Sequence, residues 1–128
     1  MGINIEISLG ELLDKITILE IKSSKIKKEN KLKNVNFELY YLNSYLKTID
    51  IDNDIKNLKN QLYKINKKLW EIEDRIRIHE KNKNFNNEFI ELARNVYMVN
   101  DERAQVKREI NTLYSSEFIE EKEYVEYE

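Results

Sequence analysis

The stretch NDIKNLKNQLYKINKKLWEIEDRIRIHEKN, residues 53–82, decides the fold. Its apolar side chains recur at alternating steps of three and four residues, which places them along one stripe of an α-helix. The stripe consists of Ile55, Leu58, Leu62, Ile65, Leu69, Ile72 and Ile76, with His79 at the next position. Such a stripe, about three and a half heptads long, predicts a helix that packs lengthwise against another helix.

The partner helix is predicted over residues 87–114, where the same spacing recurs. Its stripe consists of Phe89, Leu92, Val96, Val99, Arg103, Val106, Ile110 and Leu113. The connection at residues 82–86 is short, and short connections make neighbouring helices antiparallel. Residues 53–82 and 87–114 therefore predict a long antiparallel hairpin with a coiled-coil-like seam.

An N-terminal helix is predicted over about residues 9–32. Ser8 followed by Glu11 forms a capping-box pattern, and apolar residues then follow at helical spacing. We expect this helix to pack on a flank of the hairpin, where the small residues Ala93 and Ala104 lie three turns apart on one face. A shorter helix is predicted over residues 35–48.

The two chain ends are predicted to lie outside these helices. Residues 3–7 alternate apolar and polar side chains, which suits a short strand or an extended arm. Residues 117–128 contain six Glu and form an acidic arm that either pairs with residues 3–7 or frays.

The composition supports an all-α class, a helical bundle in a single domain over residues 1–128. The chain has no Pro, no Cys and two Gly, so turn-rich β architectures, disulfides and zinc–thiolate sites are excluded. No apolar run approaches the roughly 18 residues of a membrane span, and the N-terminus lacks a signal-peptide pattern. We expect a cytoplasmic protein that does not enter membranes.

A polar flank shared by the two hairpin helices is the predicted site. A wide polar stripe beside a seam is unusual if another helix covers it, and Glu20 of the N-terminal helix projects towards it. The candidate residues are Glu20, Asn66, Trp70, Glu73, Arg77, Arg94, Tyr97, Asn100, Asp101 and Arg103, with Asp74 at the outer edge.

Two interpretations of this flank remain open. The favoured one is a structural ion-pair network that fixes helix register, because buried charges must be paired. The predicted register places Arg77 near Glu91 and Asp74 near Arg94. The other interpretation is a ligand cleft, with Arg forks for phosphate or carboxylate, or carboxylates for Mg²⁺.

Other chemistry-bearing residues favour structural roles. His79, the single histidine, could act as a general base, but a packed histidine at the hairpin tip is favoured. Residues 22–33 contain six Lys and one Glu, and residues 56–68 contain five Lys and no acid. Because the net charge is −2 and these stretches lack Arg, solvated helix faces are favoured over nucleic-acid binding. No metal site, cofactor or catalytic residue is predicted.

Three segments carry a family resemblance: SLGELLDKITILEIK (8–22), LWEIEDRIR (69–77) and FIELARNVYMVNDERAQVKREIN (89–111). They resemble a small family of uncharacterised helical domains of bacteria, marine ones among them, and of phages. The resemblance covers nearly the whole chain except a variable insert at about 34–55, and its motif positions include Glu11, Asp14 and Lys107 as well as the polar flank. It implies no mechanism. It does imply an association with glycosyltransferase or surface-polysaccharide genes.

The sequence therefore predicts a non-catalytic helical binding or adaptor domain that self-associates or binds a protein partner. A long seam, a flank with aromatic residues and the lack of a complete catalytic constellation support this reading. The alternative is a metal-dependent phosphohydrolase or sugar-nucleotide-handling protein. That alternative requires the carboxylates of Glu73, Asp74 and Asp101 to converge within about 5 Å.

Overall fold

The computed structural model describes residues 1–116, 118 and 120–127. Four helices occupy this part of the chain: α1 (Leu9–Lys25), α2 (Glu29–Leu46), α3 (Asn53–Lys81) and α4 (Asn87–Tyr114). The described residues include no strand, so the predicted all-α class is confirmed. None of these helices is long and apolar enough to cross a membrane.

The predicted hairpin is α3 and α4, with bounds within one residue of those expected. Asp52 caps α3 by accepting from the Ile55 amide at 2.9 Å, and Asn86 caps α4 by accepting from the Phe89 amide at 3.0 Å. Towards the tip the seam residues form one apolar cluster of buried and partly buried side chains. Its members are Ile65, Leu69, Ile72, Ile76, Leu92, Val96 and Val99.

The main core lies at the other end of the hairpin, where α1 packs on it. Among the described residues, α1 is the helix whose backbone lies close to all three others. Leu13 and Ile16 of α1, Leu62 of α3 and Ile110 of α4 are fully buried there. At about 1.5 Å per residue, α3 spans about 43 Å and α1 about 25 Å, so the hairpin tip extends beyond the bundle.

The predicted helix at 9–32 is wrong in its extent, because α1 ends at Lys25 and α2 begins at Glu29. Ile26 is extended (φ −74°, ψ 132°), and the chain turns back so that α2 packs on α1. Partly buried Leu39 and Leu42 of α2 then reach the main core. Burial of this second aliphatic stripe is the physical reason for the break.

Close approach between α1 and α4 depends on Gly10. The Gly10 amide donates to Oδ1 of Asn111 at 2.7 Å, and a Cβ atom at position 10 would lie 2.7 Å from the backbone oxygen of Lys107. Ala93 is exposed and Ala104 is half-buried. The contact of α1 with the hairpin is thus confirmed, while exposed Ala93 takes no part in close packing.

Of the two alternatives predicted for residues 3–7 the extended arm remains, while the acidic arm packs on α4. Residues 3–7 form no strand, since no strand among the described residues could pair with them. After Ser115, which is left-handed (φ 59°), the chain reverses and runs back along α4. Glu121 then lies 2.8 Å from Arg108, and the Tyr127 hydroxyl donates to Asp101 at 2.7 Å. The acidic arm therefore contacts α4, and its Phe118 lines a small pocket together with Glu6 and Ile7. Residues 117, 119 and 128 of the prediction lie outside the described residues.

Candidate functional site

A buried polar network joins α1 to α3 and α4. The Asp14 carboxylate is 1% exposed and accepts from Nε of Arg103 at 2.9 Å and from Nη2 of the same guanidinium. Nδ2 of Asn66 donates to Asp14 Oδ1 at 2.9 Å and to Thr17 Oγ1 at 3.0 Å. Asp14 thus has a two-point partner on α4 and a neutral partner on α3, so it fixes the position of α1.

Lys107, one turn after Arg103 on α4, extends the network towards the acidic arm. Its buried ammonium lies 2.9 Å from the Glu11 carboxylate and 2.8 Å from that of Glu120, with Asp14 Oδ2 at 3.8 Å. One cation therefore holds α1 and the arm against the same turn of α4.

The network pairs two cations with three carboxylates. Burial by itself raises the pKa of Asp14, but hydrogen bonds from Arg103 and Asn66 and the charges of Arg103 and Lys107 outweigh it, so the net pKa is lowered. The hydrogen bonds to Asp14 raise the pKa of Arg103. Burial lowers the pKa of Lys107, but its bonds to Glu120 and Glu11 reverse this and raise it. All three groups are charged at neutral pH.

A groove beside this network, which we call the Trp70 groove, brings together half of the predicted site residues. It has a volume of about 450 Å³. Its walls are formed by Ile18, Ile21, Asn66, Leu69, Trp70, Glu73, Asp74, Arg77 and Arg103. Asp14 accepts from the Nε–H and from one Nη2–H of Arg103, so the second Nη2–H and the two Nη1–H groups are the donors that a ligand in this groove could meet.

The other predicted site residues lie elsewhere. Glu20 faces Lys59 at 3.6 Å. Tyr97, Asn100 and Asp101 line a second groove together with the acidic arm, where the Tyr97 ring contacts the Tyr127 ring edge-on. On the surface of α4, Arg94 binds Glu91 at 2.9 Å. The residues of the predicted flank thus lie in four places: the Trp70 groove, the Glu20–Lys59 pair, the groove beneath the arm and the Arg94–Glu91 pair.

The residues that were predicted to form ion pairs across the hairpin bind other partners in the structure. Arg77 pairs with Glu73 of its own helix at 3.5 Å, while the pair that crosses from α3 to α4 is Arg75 with Glu88. His79 lies beside this pair, with Nδ1 3.0 Å from the Arg75 carbonyl oxygen and its ring 6.2 Å from that of Phe89. His79 thus occupies a packed position at the tip.

The carboxylates required for a metal centre do not converge. Glu73 and Asp74 line the Trp70 groove, whereas Asp101 lies in the groove beneath the arm and accepts from Tyr127. Within residues 1–116, 118 and 120–127, no three Asp, Glu, His or Cys side chains are grouped so that they could hold a metal ion. The metal-dependent alternative therefore lacks a supporting cluster in the described part of the chain.

Comparison with known proteins gives one match. A family of unknown function, DUF6165, has a model that matches residues 3–127, nearly the whole chain. The chain belongs to this family. Comparison with curated proteins and comparison with solved structures each gave no significant match.

In this DUF6165 member, the buried network includes residues that the sequence-based site omitted. Asp14, Lys107 and Asn111 are all buried, and none of them is among the predicted site residues. Two patterns could have indicated them. Gly10, Asp14, Thr17 and Ile21 form one stripe of α1, and Arg103, Lys107 and Asn111 recur every fourth residue on α4. The stripe on α1, with small and acidic residues, thus faces the stripe on α4, with basic and amide residues.

Proposed function

We propose that this protein is a non-catalytic binding domain whose ligand occupies the Trp70 groove. The observation that carries the proposal is the anchoring of Arg103, which combines a groove-lining position with a two-point bond to a buried carboxylate. A guanidinium held in this way loses little conformational freedom when a ligand binds, which favours affinity. Arg77, whose side chain is 78% exposed, supplies a second, adaptable fork.

The groove composition favours a saccharide or a sugar phosphate. The Trp70 ring with Ile18 and Leu69 offers an apolar surface that suits the C–H face of a sugar ring. Glu73 and Asp74 can accept hydrogen bonds from sugar hydroxyls, while the two Arg side chains can donate to hydroxyl or phosphate oxygens. This chemistry supports a cytoplasmic role in bacterial or phage-linked surface-glycan biosynthesis, as the sequence resemblance implies.

The tryptophan fluorescence of the intact chain tests this proposal directly. Trp70 is the single Trp of the sequence, so a change in its emission reports on this groove. Titration with glucose, glucose 1-phosphate and UDP-glucose is expected to change the emission in a saturable way for at least one of them. Arg77→Gln is expected to weaken binding of the phosphate-bearing probe about tenfold, the effect of losing one charge-assisted hydrogen bond.

Arg94→Gln is the matched control, since Arg94 is also an exposed Arg paired with a Glu on its own helix but lies outside the groove. Its affinity for the probes is expected to stay at the wild-type value. The proposal fails if no probe changes the Trp70 emission at millimolar concentration, or if Arg94→Gln and Arg77→Gln weaken binding equally.

Self-association is a further part of the proposed function. Ile78, Phe85 and Ile90, all at the hairpin tip, are each more than half exposed, and a second copy of the chain could cover them. Sedimentation at high micromolar concentration is expected to show a dimer, and Ile78→Lys with Ile90→Lys to return it to a monomer. A wild-type chain that sediments as a strict monomer removes this part of the proposal and leaves the groove unaffected.

A further inference from the structure

The outer face of α2 carries a stripe of exposed side chains that the fold does not use. Lys33, Phe37, Tyr40, Ser44 and Lys47 follow one another at steps of four, three, four and three residues, so they lie in one line along the helix. All five are exposed, Phe37 at 76% and Tyr40 at 75%. Two exposed aromatic rings thus lie between two cations. We call this line of five residues the α2 stripe.

Packing of α2 leaves this stripe available. None of the described residues of α2 is buried, and three of its aliphatic side chains, Leu39, Leu42 and Leu46, pack against the core. They lie on the opposite side of the helix from Phe37. The exposed rings therefore contribute little to folding, and large exposed aromatic groups of this kind indicate an interaction surface.

The charge around the α2 stripe is positive. Residues 27–33 contain four Lys and one Glu, and no described acidic group forms an ion pair with any of these four or with Lys47. The one acid, Glu29, lies on the same line of the helix one turn before Lys33 and two turns before Phe37. Beyond Tyr40, a groove of about 570 Å³ has Lys47 and Lys56 in its walls, against one acid, Asp50. Glu38 lies two residues from Tyr40 and so points to nearly the other side of the helix.

We propose that the α2 stripe binds single-stranded nucleic acid. Phe37 and Tyr40 offer ring faces on which unpaired bases can stack, and Lys33 and Lys47 are placed to meet phosphates on either side. The two Lys lie about 21 Å apart along the helix, enough for a short run of nucleotides. The sequence alone favoured solvated Lys faces; the exposure of the rings beside those lysines is the observation that changes this interpretation.

The same face is a poor match for a membrane surface. An interfacial helix inserts a continuous apolar face rich in aliphatic residues. In α2, Leu39, Leu42 and Leu46 pack against the core, and the exposed positions near the rings include the polar residues Asn34 and Ser44. Rings interleaved with amides, hydroxyls and Lys match bases and phosphates better than acyl chains.

Fluorescence anisotropy with a labelled 12-nucleotide poly(U) and poly(dT) tests the proposal on the full chain at low salt. Wild-type protein is expected to bind, with affinity that falls as salt rises. The double variant Phe37→Ala/Tyr40→Ala is expected to bind at least about tenfold more weakly, the effect of losing base stacking. Lys33→Gln/Lys47→Gln is expected to reduce the slope of log K against log salt by about 1.4, the effect of two lost phosphate contacts on a single strand.

Two controls match these variants. Tyr124→Ala removes an equally exposed ring (76%) from the acidic arm, and Lys64→Gln/Lys68→Gln removes two exposed charges from α3. Both are expected to bind like wild type. The proposal is overturned if the wild-type chain retains no oligonucleotide at low salt, or if the controls lower affinity as much as the stripe variants. It is overturned equally if phosphatidylserine vesicles, and not oligonucleotides, bind in a manner that depends on Phe37 and Tyr40.

Discussion

Arg103→Leu is expected to lower the free energy of unfolding at neutral pH by about 3 kcal/mol or more. The variant removes both guanidinium donors from Asp14, a carboxylate that is 1% exposed and cannot recover its hydration. Asn66 and Lys107 remain as partners, which places the effect at the lower end of the range for breaking a buried pair. Urea unfolding followed by circular dichroism measures the loss, which is a large part of the stability of a typical domain.

The dependence of this loss on pH distinguishes a buried charge from lost packing. Because the pKa of Asp14 is lowered in the folded state, its contribution to stability is fully present above its ordinary value near 3.8 and is lost as pH falls through the lowered folded value. In Arg103→Leu that pKa rises, so the difference from wild type is expected to shrink as pH falls below about 4. Arg94→Leu, at an exposed pair, is expected to stay within about 0.5 kcal/mol of wild type at either pH. An Arg103→Leu chain as stable as wild type at pH 7 would contradict the network.

Gly10→Ala is expected to destabilise the protein by roughly 1–3 kcal/mol, although alanine is the better helix former by about 1 kcal/mol. The added methyl group would lie 2.7 Å from the Lys107 backbone oxygen and 2.8 Å from Oδ1 of Asn111. The backbone oxygen of Lys107 cannot rotate away as a flexible side chain can. We therefore expect α1 to move away from α4. That movement breaks the bond from the Gly10 amide to Asn111.

Gly2→Ala is the control, because a Cβ atom there has no neighbour within 4 Å. Both substitutions reduce the conformational entropy of the unfolded chain, but only Gly10→Ala introduces a packing clash. A comparison of the thermal unfolding midpoints of the two variants therefore separates the two effects. Equal midpoints for Gly10→Ala and wild type would mean that α1 and α4 lie farther apart than described. A lowered midpoint for Gly2→Ala would show that the effect does not come from the α1–α4 contact.

The hairpin could be predicted from the sequence because its signal is local. A three–four spacing sustained through α3 and α4 depends on neighbouring residues alone, and Asp52 and Asn86 are cap residues at the expected places. The end of α1 gave no such signal. Residues 26–28 contain neither Gly nor Pro, and the chain breaks there because α2 must return to bury Leu39 and Leu42. Tertiary burial thus overrides a helical pattern that continues in the sequence.

The candidate site could be predicted only in part, and the reason is related. Helical spacing correctly placed Trp70, Glu73 and Arg77 beside one another, since they belong to one face of one helix. It could not place Asp14 opposite Arg103, because nothing in the spacing of either helix specifies the angle at which α1 crosses the hairpin. The position of the groove beneath the arm could likewise not be predicted, because it follows from the reversal of the chain at Ser115.

The bonds between α1 and the end of α4 also bear on the order in which the chain can fold during synthesis. Gly10 and Asn111 are 101 residues apart, and Asp14 and Arg103 are 89 apart. A polypeptide emerging N-terminus first therefore exposes α1 before its partners on α4 exist, while α3 and α4 can associate soon after both leave the ribosome. Of the four described helices, α1 is made first, yet Asp14 gains its guanidinium partner only when the last of the four has been made.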